Sequence, residues 1–151
     1  SQLQAESRGW VRIRSADPQA PPAIQYNYLS TENDRRTMVE GLKFARRLVT
    51  TPPLAGYVAG EFQPGEKVQS DEEWLAFCRE AGDTVFHPTS TCRMGTDAAS
   101  VVDERLRVRG VGGLRVIDAS VMPSVVSGNT NAAVIALAEK GADIVREDAE
   151  M

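Results

Sequence analysis

The chain has 151 residues, 42% of them apolar and 25% charged, and a net charge of −4. That length suits one domain, which at this size buries roughly 70% of the surface its unfolded chain exposes. The acidic balance argues against nucleic-acid binding, which needs a basic face to meet phosphates, and no run reaches the ~18 apolar residues that span a bilayer. Residues 1–9 carry no initiator Met and no apolar signal core, so the start reads as a cut through a longer protein. Cys78 and Cys92 are two thiols on different elements, which fits a reducing interior rather than a disulfide framework. A cytoplasmic location is expected on that ground.

Gly9 to Arg14 alternates apolar and basic side chains with period two, the pattern of a half-buried strand. Trp10 breaks the alternation and implies some cover on the outward face. Residues 15–27 carry Pro18, Pro21 and Pro22 and read as an extended connection, pinned to the body by Tyr26 and Tyr28. The clearest helix follows. Ser30 or Thr31 caps it, Glu32 and Asp34 sit in its first turn, Arg46 and Arg47 in its last, and Pro52-Pro53 ends it. Met38, Leu42, Ala45 and Val49 form its apolar stripe, and Arg35, Arg36, Arg46 and Arg47 read as a solvated helix face. Residues 51–67 are mostly loop. Ser70 with Glu73 is a capping box that opens a second helix. Its apolar face is Trp74, Phe77, Cys78 and Ala81, with Cys78 as a small core residue, and its stop is Gly82.

Val101-Val102 and Leu106-Arg107-Val108 read as a short hairpin, Gly110 to Gly113 break the chain, and Leu114 to Ile117 is a β-prone run that delivers Asp118. A last helix starts at Ala132 and continues to about Val145. It is apolar nearly all round in its first half, as helices buried inside a larger body are.

Chemistry concentrates at His87-Pro88-Thr89-Ser90-Thr91-Cys92-Arg93-Met94-Gly95 and Ser127-Gly128-Asn129-Thr130-Asn131-Ala132. His87 is the only histidine. Pro88 fixes the backbone after it, and short hydroxyl side chains follow. Such a loop can hold an imidazole that is neutral near physiological pH, as a general base requires; on these residues alone a structural histidine remains equally open. One His and two Cys at no recognised ligand spacing set a metal site aside. Cys92 reads as a small buried side chain rather than a nucleophile paired with His87. Either Asn129 or Asn131 could cap the last helix. Together they put two amides at the positive end of a helix dipole, a place suited to a ligand that carries or develops negative charge. Asp118 either binds a ligand hydroxyl or caps the next turn, and the cap is favoured.

Taken in order, His87-Pro88-x-x-Thr91-x-Arg93-Met94-Gly95, Val101-Val102-Asp103, Leu106-Arg107-Val108-x-Gly110-Val111-x-x-Leu114-Arg115-Val116-x-Asp118-Ala119-Ser120-x-Met122-Pro123 and Gly128-Asn129-x-Asn131-Ala132 resemble the C-terminal part of the glucose–methanol–choline (GMC) flavoprotein oxidoreductases. The choline dehydrogenase-like, bacterial alcohol dehydrogenase branch is the most similar. Ser7-Arg8-Gly9 to Ile13, and Asn27-Tyr28-Leu29 before a helix, are similar too, so the resemblance spans nearly the whole chain. Ser90 stands where many relatives carry glycine.

The resemblance implies an FAD enzyme that oxidises a small-molecule alcohol by moving hydride to flavin. It implies that His87 is the active-site base and Asn129 the second group on the substrate oxygen. It also implies that Asn131 and Ala132 approach the flavin ring and that Asp118 and Ala119 line the FAD. The family's G-x-G-x-x-G turn is absent, and Gly110-Val111-Gly112-Gly113 does not replace it. The expected partner is therefore the N-terminal FAD-binding part of the same enzyme. The expected fold is α+β: residues 1–100 supply a portion of the substrate-binding domain, part of a mainly antiparallel sheet with flanking helices. Residues 101–151 return as a strand–helix segment that completes the FAD-binding domain. A stand-alone, non-catalytic binding or assembly module with the same fold is the rival reading, and a lyase using the same site without net redox change is a third.

Overall fold

The computed structural model describes residues 2–150. It is a small α+β structure. β1 (Trp10–Arg12) and β2 (Ala23–Gln25) pair in a two-stranded antiparallel ladder. Four helices follow among the described residues, α1 (Glu32–Val49), α2 (Pro52–Ala55), α3 (Asp71–Ala81) and α4 (Asn131–Ala149), with one 3-10 turn at Ala119–Val121. The chain divides into two compact units. The first gathers the residues up to Gly9 with Ile24–Thr84, and the second gathers Trp10–Ala23 with the residues from Val85 onward.

β1 is shorter than the alternating pattern predicts, and it is not half-buried: Val11 is 49% and Ile13 90% exposed. A ladder of two strands has no third layer against which either face could be covered. Arg12 lies 4.7 Å over the Trp10 ring, so the residue that broke the alternation makes a cation–π contact.

In the first unit, Thr31 caps α1 by accepting from the Asp34 N–H, and Ser70 and Glu73 close the capping box of α3. α1 and α3 pack on each other. The buried face of α1 differs from the apolar stripe, because Asp34 and Val39 are buried, Met38 and Leu42 are half-buried, and Ala45 and Val49 are exposed. The stripe begins one turn early, on a carboxylate that hydrophobicity alone does not rank as core. Arg46 is likewise not on a solvated face. Its guanidinium lies 4.1 Å over the buried Trp74 ring, donates to the Val68 and Gly65 carbonyls, and pairs with Glu61 at 2.9 Å. A planar, weakly hydrated cation can stack and form hydrogen bonds at once, so Arg46 holds α1, α3 and the loop between them together. Arg35 donates to the Leu29 and Ser30 carbonyls just before α1. Cys78 is buried beside Trp74 on the α3 face, where burial raises its thiol pKa. Cys78 and Cys92 are both free.

Asp34 organises the start of the chain. Only 1% exposed, it accepts from the Glu6 N–H at 2.9 Å, the Ser7 N–H at 2.7 Å and the Gln2 side chain at 2.6 Å. Ser7 Oγ in turn accepts from the Ser30 and Thr31 amides. Asn27, at φ +57°, donates to the Arg8 carbonyl, while Tyr26 and Tyr28 stack on each other and stay exposed. Asn27, and not the tyrosines, is thus what ties the connection down. At Gly9 a Cβ would lie 2.0 Å from the Gln25 carbonyl oxygen, so only glycine permits that approach.

In the second unit the core is Val102, Leu106 and Val121, packed by Met94, Val101, Val108, Val116, Ile117 and Leu137. The expected hairpin and β-prone run are present as isolated bridges, Met94 to Val102 (parallel), Val102 to Val108 and Arg107 to Arg115 (antiparallel). Each stretch is too short and too often turned to form a regular strand. α4 buries only Gly141 and Ile144 fully and leaves Ile135 56% exposed. At Gly141 a Cβ would meet Ile117 at 2.6 Å, so the helix backbone sits directly on the core. Its far end is tied by Arg105 to Glu147 and Asp148 and by Arg115 to Asp148. Those two guanidinium groups hold the Asp148 carboxyl below its ordinary range.

Burial alone would raise the Asp34 pKa, but the hydrogen bonds from Glu6, Ser7 and Gln2 outweigh it and hold the carboxyl well below the usual carboxylate range. A depressed folded-state pKa contributes stability that is complete above the unfolded pKa of about 3.9 and is lost as pH falls through the folded value. Asp34→Asn, which aims an N–H₂ at buried donors, should lower unfolding stability by about 2–3 kcal/mol at neutral pH. Denaturant titrations of both forms at pH 7 and pH 3 check this: the gap must narrow at pH 3, and an equal gap at both would show that the carboxylate charge contributes nothing.

Candidate active site

All the site residues expected from sequence fall in the second unit. His87 begins a loop bracketed by two non-glycine residues in the left-handed region, Phe86 at φ +58° and Ser90 at φ +73°. Glycine would adopt the Ser90 conformation without steric cost, whereas serine adopts it only under constraint. Strained backbone of this kind persists only where the surroundings over-determine it. Here they do. The Cys92 N–H donates to the Ser120 carbonyl at 2.9 Å and the Met94 N–H to the Val121 carbonyl at 2.8 Å, while the Val101 N–H donates to Arg93 O. The segment after His87 is therefore laced between the 119–121 turn and the 101–102 bridge.

The Arg93-Met94-Gly95 run is engaged in local bonds and core packing. Arg93 pairs with Asp97 through two bonds of 2.9 and 2.7 Å, and Met94 packs on the core. Gly95 gives its carbonyl to the buried Ser100 hydroxyl and to Arg109. Cys92, expected as a small buried side chain, is only partly covered, and its place is fixed by its backbone bond.

The His87 ring, half-buried, has its Nδ1 3.1 Å from the Thr130 hydroxyl oxygen. Among the described residues no group meets Nε2. Thr130 is the N-cap of α4, so neither asparagine holds that position: Asn129 precedes the cap and Asn131 is the first helical residue. Both asparagines are exposed, as is Ala132, and neither amide has a hydrogen-bond partner among the described residues. The first turn of α4 carries no acid, so no side-chain charge offsets the positive end of its dipole. His87 and the helix start are thus brought together by a direct bond. The residue that makes it, Thr130, was not singled out from sequence. Its signal was there: threonine is a preferred cap, and it lies between the two amides.

Asp118 takes the capping role favoured for it, accepting from the Ser120 N–H at 2.7 Å at the start of the 3-10 turn. Its other oxygen has no partner among the described residues. Ala119 accepts from the Ser90 N–H at 3.4 Å, so the Asp118-Ala119 turn lies along the loop that carries His87. No group of three or more His, Cys, Asp or Glu side chains among the described residues could hold a metal ion, and no helix is long and apolar enough to cross a membrane.

The sequence model of the GMC oxidoreductases matches residues 5–138. The chain is 45% identical over 149 residues to an alcohol dehydrogenase (acceptor) of Pseudomonas putida, covering 99% of this chain and 27% of that protein. It is 48% identical over 146 residues to the mitochondrial choline dehydrogenase of Homo sapiens, covering 95% of this chain and 25% of that protein. Its structure is similar to that of an FAD-dependent oxidoreductase from Chaetomium thermophilum, with a TM-score of 0.91 and 30% identity, over 99% of this chain and 26% of that one. The chain spans about a quarter of the length of the curated relatives it matches. On this sequence and structural agreement, the chain belongs to the GMC oxidoreductase family.

Proposed function

We propose that the chain is the carboxy-terminal portion of an FAD-dependent dehydrogenase that oxidises a small-molecule alcohol at its CH–OH group. His87 is the base and Asn129 the hydrogen-bond partner of the substrate oxygen. One observation carries the reading: the sole imidazole is hydrogen-bonded at Nδ1 to Thr130, the N-cap of α4, whose two sequence neighbours are asparagines with no hydrogen-bond partner among the described residues.

The chemistry follows from those groups. Nε2 takes the hydroxyl proton, and the oxygen left behind becomes alkoxide-like. The Asn129 amide donates to that oxygen as its charge grows. The carbon then releases hydride and becomes a carbonyl carbon. FAD, bound in the whole enzyme, supplies the two-electron acceptor for that hydride. The residues present fit such a group: the α4 N-terminus is free of acids, Asn131 has an unengaged amide, and Ala132 is small and exposed. A helix end of this kind favours an electron-rich ring. We assign Asn131 and Ala132, with the open oxygen of Asp118 and with Ala119, to the flavin-facing surface.

Within the whole enzyme, residues 1–100 contribute to the substrate-binding domain and 101–151 complete the FAD-binding domain, whose glycine-rich turn is provided by the N-terminal part. Two free thiols accord with a cytoplasmic setting. A non-catalytic module of the same fold is the reading that substrate-driven bleaching of flavin in the full-length protein excludes.

In the full-length enzyme, His87→Ala should lower kcat by about 10²–10⁴-fold, the usual contribution of a positioned base, with the flavin absorbance retained. Stopped-flow flavin reduction measures it, and wild-type turnover in that variant removes His87 from the mechanism. The isolated 151-residue chain should purify without flavin colour, because most flavin contacts lie outside it. Stoichiometric yellow FAD on the isolated chain would contradict the domain assignment.

A further inference from the structure

We propose that Thr130 is a positioning residue: it accepts a hydrogen bond from His87 Nδ1–H and so fixes the ring with Nε2 bare and aimed at the substrate hydroxyl. The inference rests on the reading of His87 as the base.

Thr130 occupies the N-cap of α4 but does not do what N-cap threonines do. Its side chain makes no capping bond, and its backbone is helical, φ −78° and ψ −15°, where a capping residue is normally extended. Its carbonyl accepts from the Val134 N–H at 2.9 Å, so the backbone still starts the helix. The hydroxyl, on a residue only 9% exposed, goes instead to His87 Nδ1 at 3.1 Å. The Thr130 oxygen that an N-cap residue would turn to the first amides of α4 is committed to the imidazole instead.

The tautomer follows from the chemistry. A neutral imidazole that takes a proton at Nε2 carries its own proton on Nδ1, so Nδ1 donates and Thr130 Oγ1 accepts. A hydroxyl oxygen accepts equally well before and after Nε2 is protonated, so the bond survives the transfer. Pro88 and the left-handed residues on either side fix the backbone of the loop but leave the ring free to turn about its own bond. Thr130 removes that last freedom from a helix that is itself seated on the core at Gly141.

The test uses the full-length enzyme with Thr130→Val, which keeps the shape and removes the hydroxyl, and Thr130→Ser, which keeps the hydroxyl. Thr130→Val should lower kcat by about 10–100-fold, the usual cost of removing a group that orients a reacting one, with KM, flavin content and Tm near wild type. Thr130→Ser should recover most of kcat. In enzyme labelled with 15N-histidine, the His87 ring signals, identified by their loss in His87→Gln, should show one neutral tautomer in wild type and a mixture in Thr130→Val. Wild-type kcat and unchanged ring signals in Thr130→Val overturn the proposal while leaving His87 as the base if His87→Ala is inactive. A Thr130→Val enzyme that loses flavin and Tm, with Thr130→Ser no better, overturns it in favour of a purely structural role. Full turnover in His87→Ala removes the base and the positioning residue together.

Discussion

The candidate site depends on how the segment after His87 is seated. Residues 90–94 are held on one side by the carbonyls of the 119–121 turn and on the other by the Val101 amide. These are main-chain bonds, largely indifferent to side-chain identity, and they place a loop with no regular structure as firmly as a strand would. Each bond adds only about 1 kcal/mol net, but leaving a buried one unmade costs more, so the set is made or lost together. Val102, Leu106 and Val121 fill the space behind it. Without that seat, the left-handed turns at Phe86 and Ser90 would relax and the imidazole would have no defined direction.

The two units solve the same problem by different means. Around α1 the organising group is a single buried carboxylate that collects amides from a stretch of chain without secondary structure. Around α4 it is the close approach of a glycine-bearing helix to Ile117 and Leu106, backed by the Arg105–Arg115–Asp148 cluster at the far end. In both, a helix is fixed at its ends by polar groups and along its length by modest apolar contact. This is how a chain with eight buried hydrophobic residues among those described holds its elements in place.

Much of this was legible in sequence wherever a local rule governed. The Thr31 and Ser70 caps, the stop at Gly82 and the turn-capping role of Asp118 all depend on residues within a few positions of one another. What escaped was set by partners distant in sequence. Asp34 reads as a first-turn acid because its donors, Gln2, Glu6 and Ser7, lie 27 to 32 positions away. Arg46 reads as surface because the ring it covers belongs to α3. Thr130 was passed over for the asparagines beside it because helix periodicity cannot show that a hydroxyl turns 43 positions back towards an imidazole. The order of motifs from His87 to Ala132 was the exception: it identified the family that the sequence and structural likenesses then established.

The Asp34 cradle carries a dynamic consequence for the residues in front of β1. A stretch with no helix or strand usually exchanges its amide hydrogens quickly, because nothing cooperative protects them. Here the Glu6 and Ser7 amides close on a carboxylate that lies inside the packed face of α1. They exchange when the contact between this stretch and α1 opens. Protection in this irregular stretch therefore comes from its contact with the helix, although the two share no secondary structure.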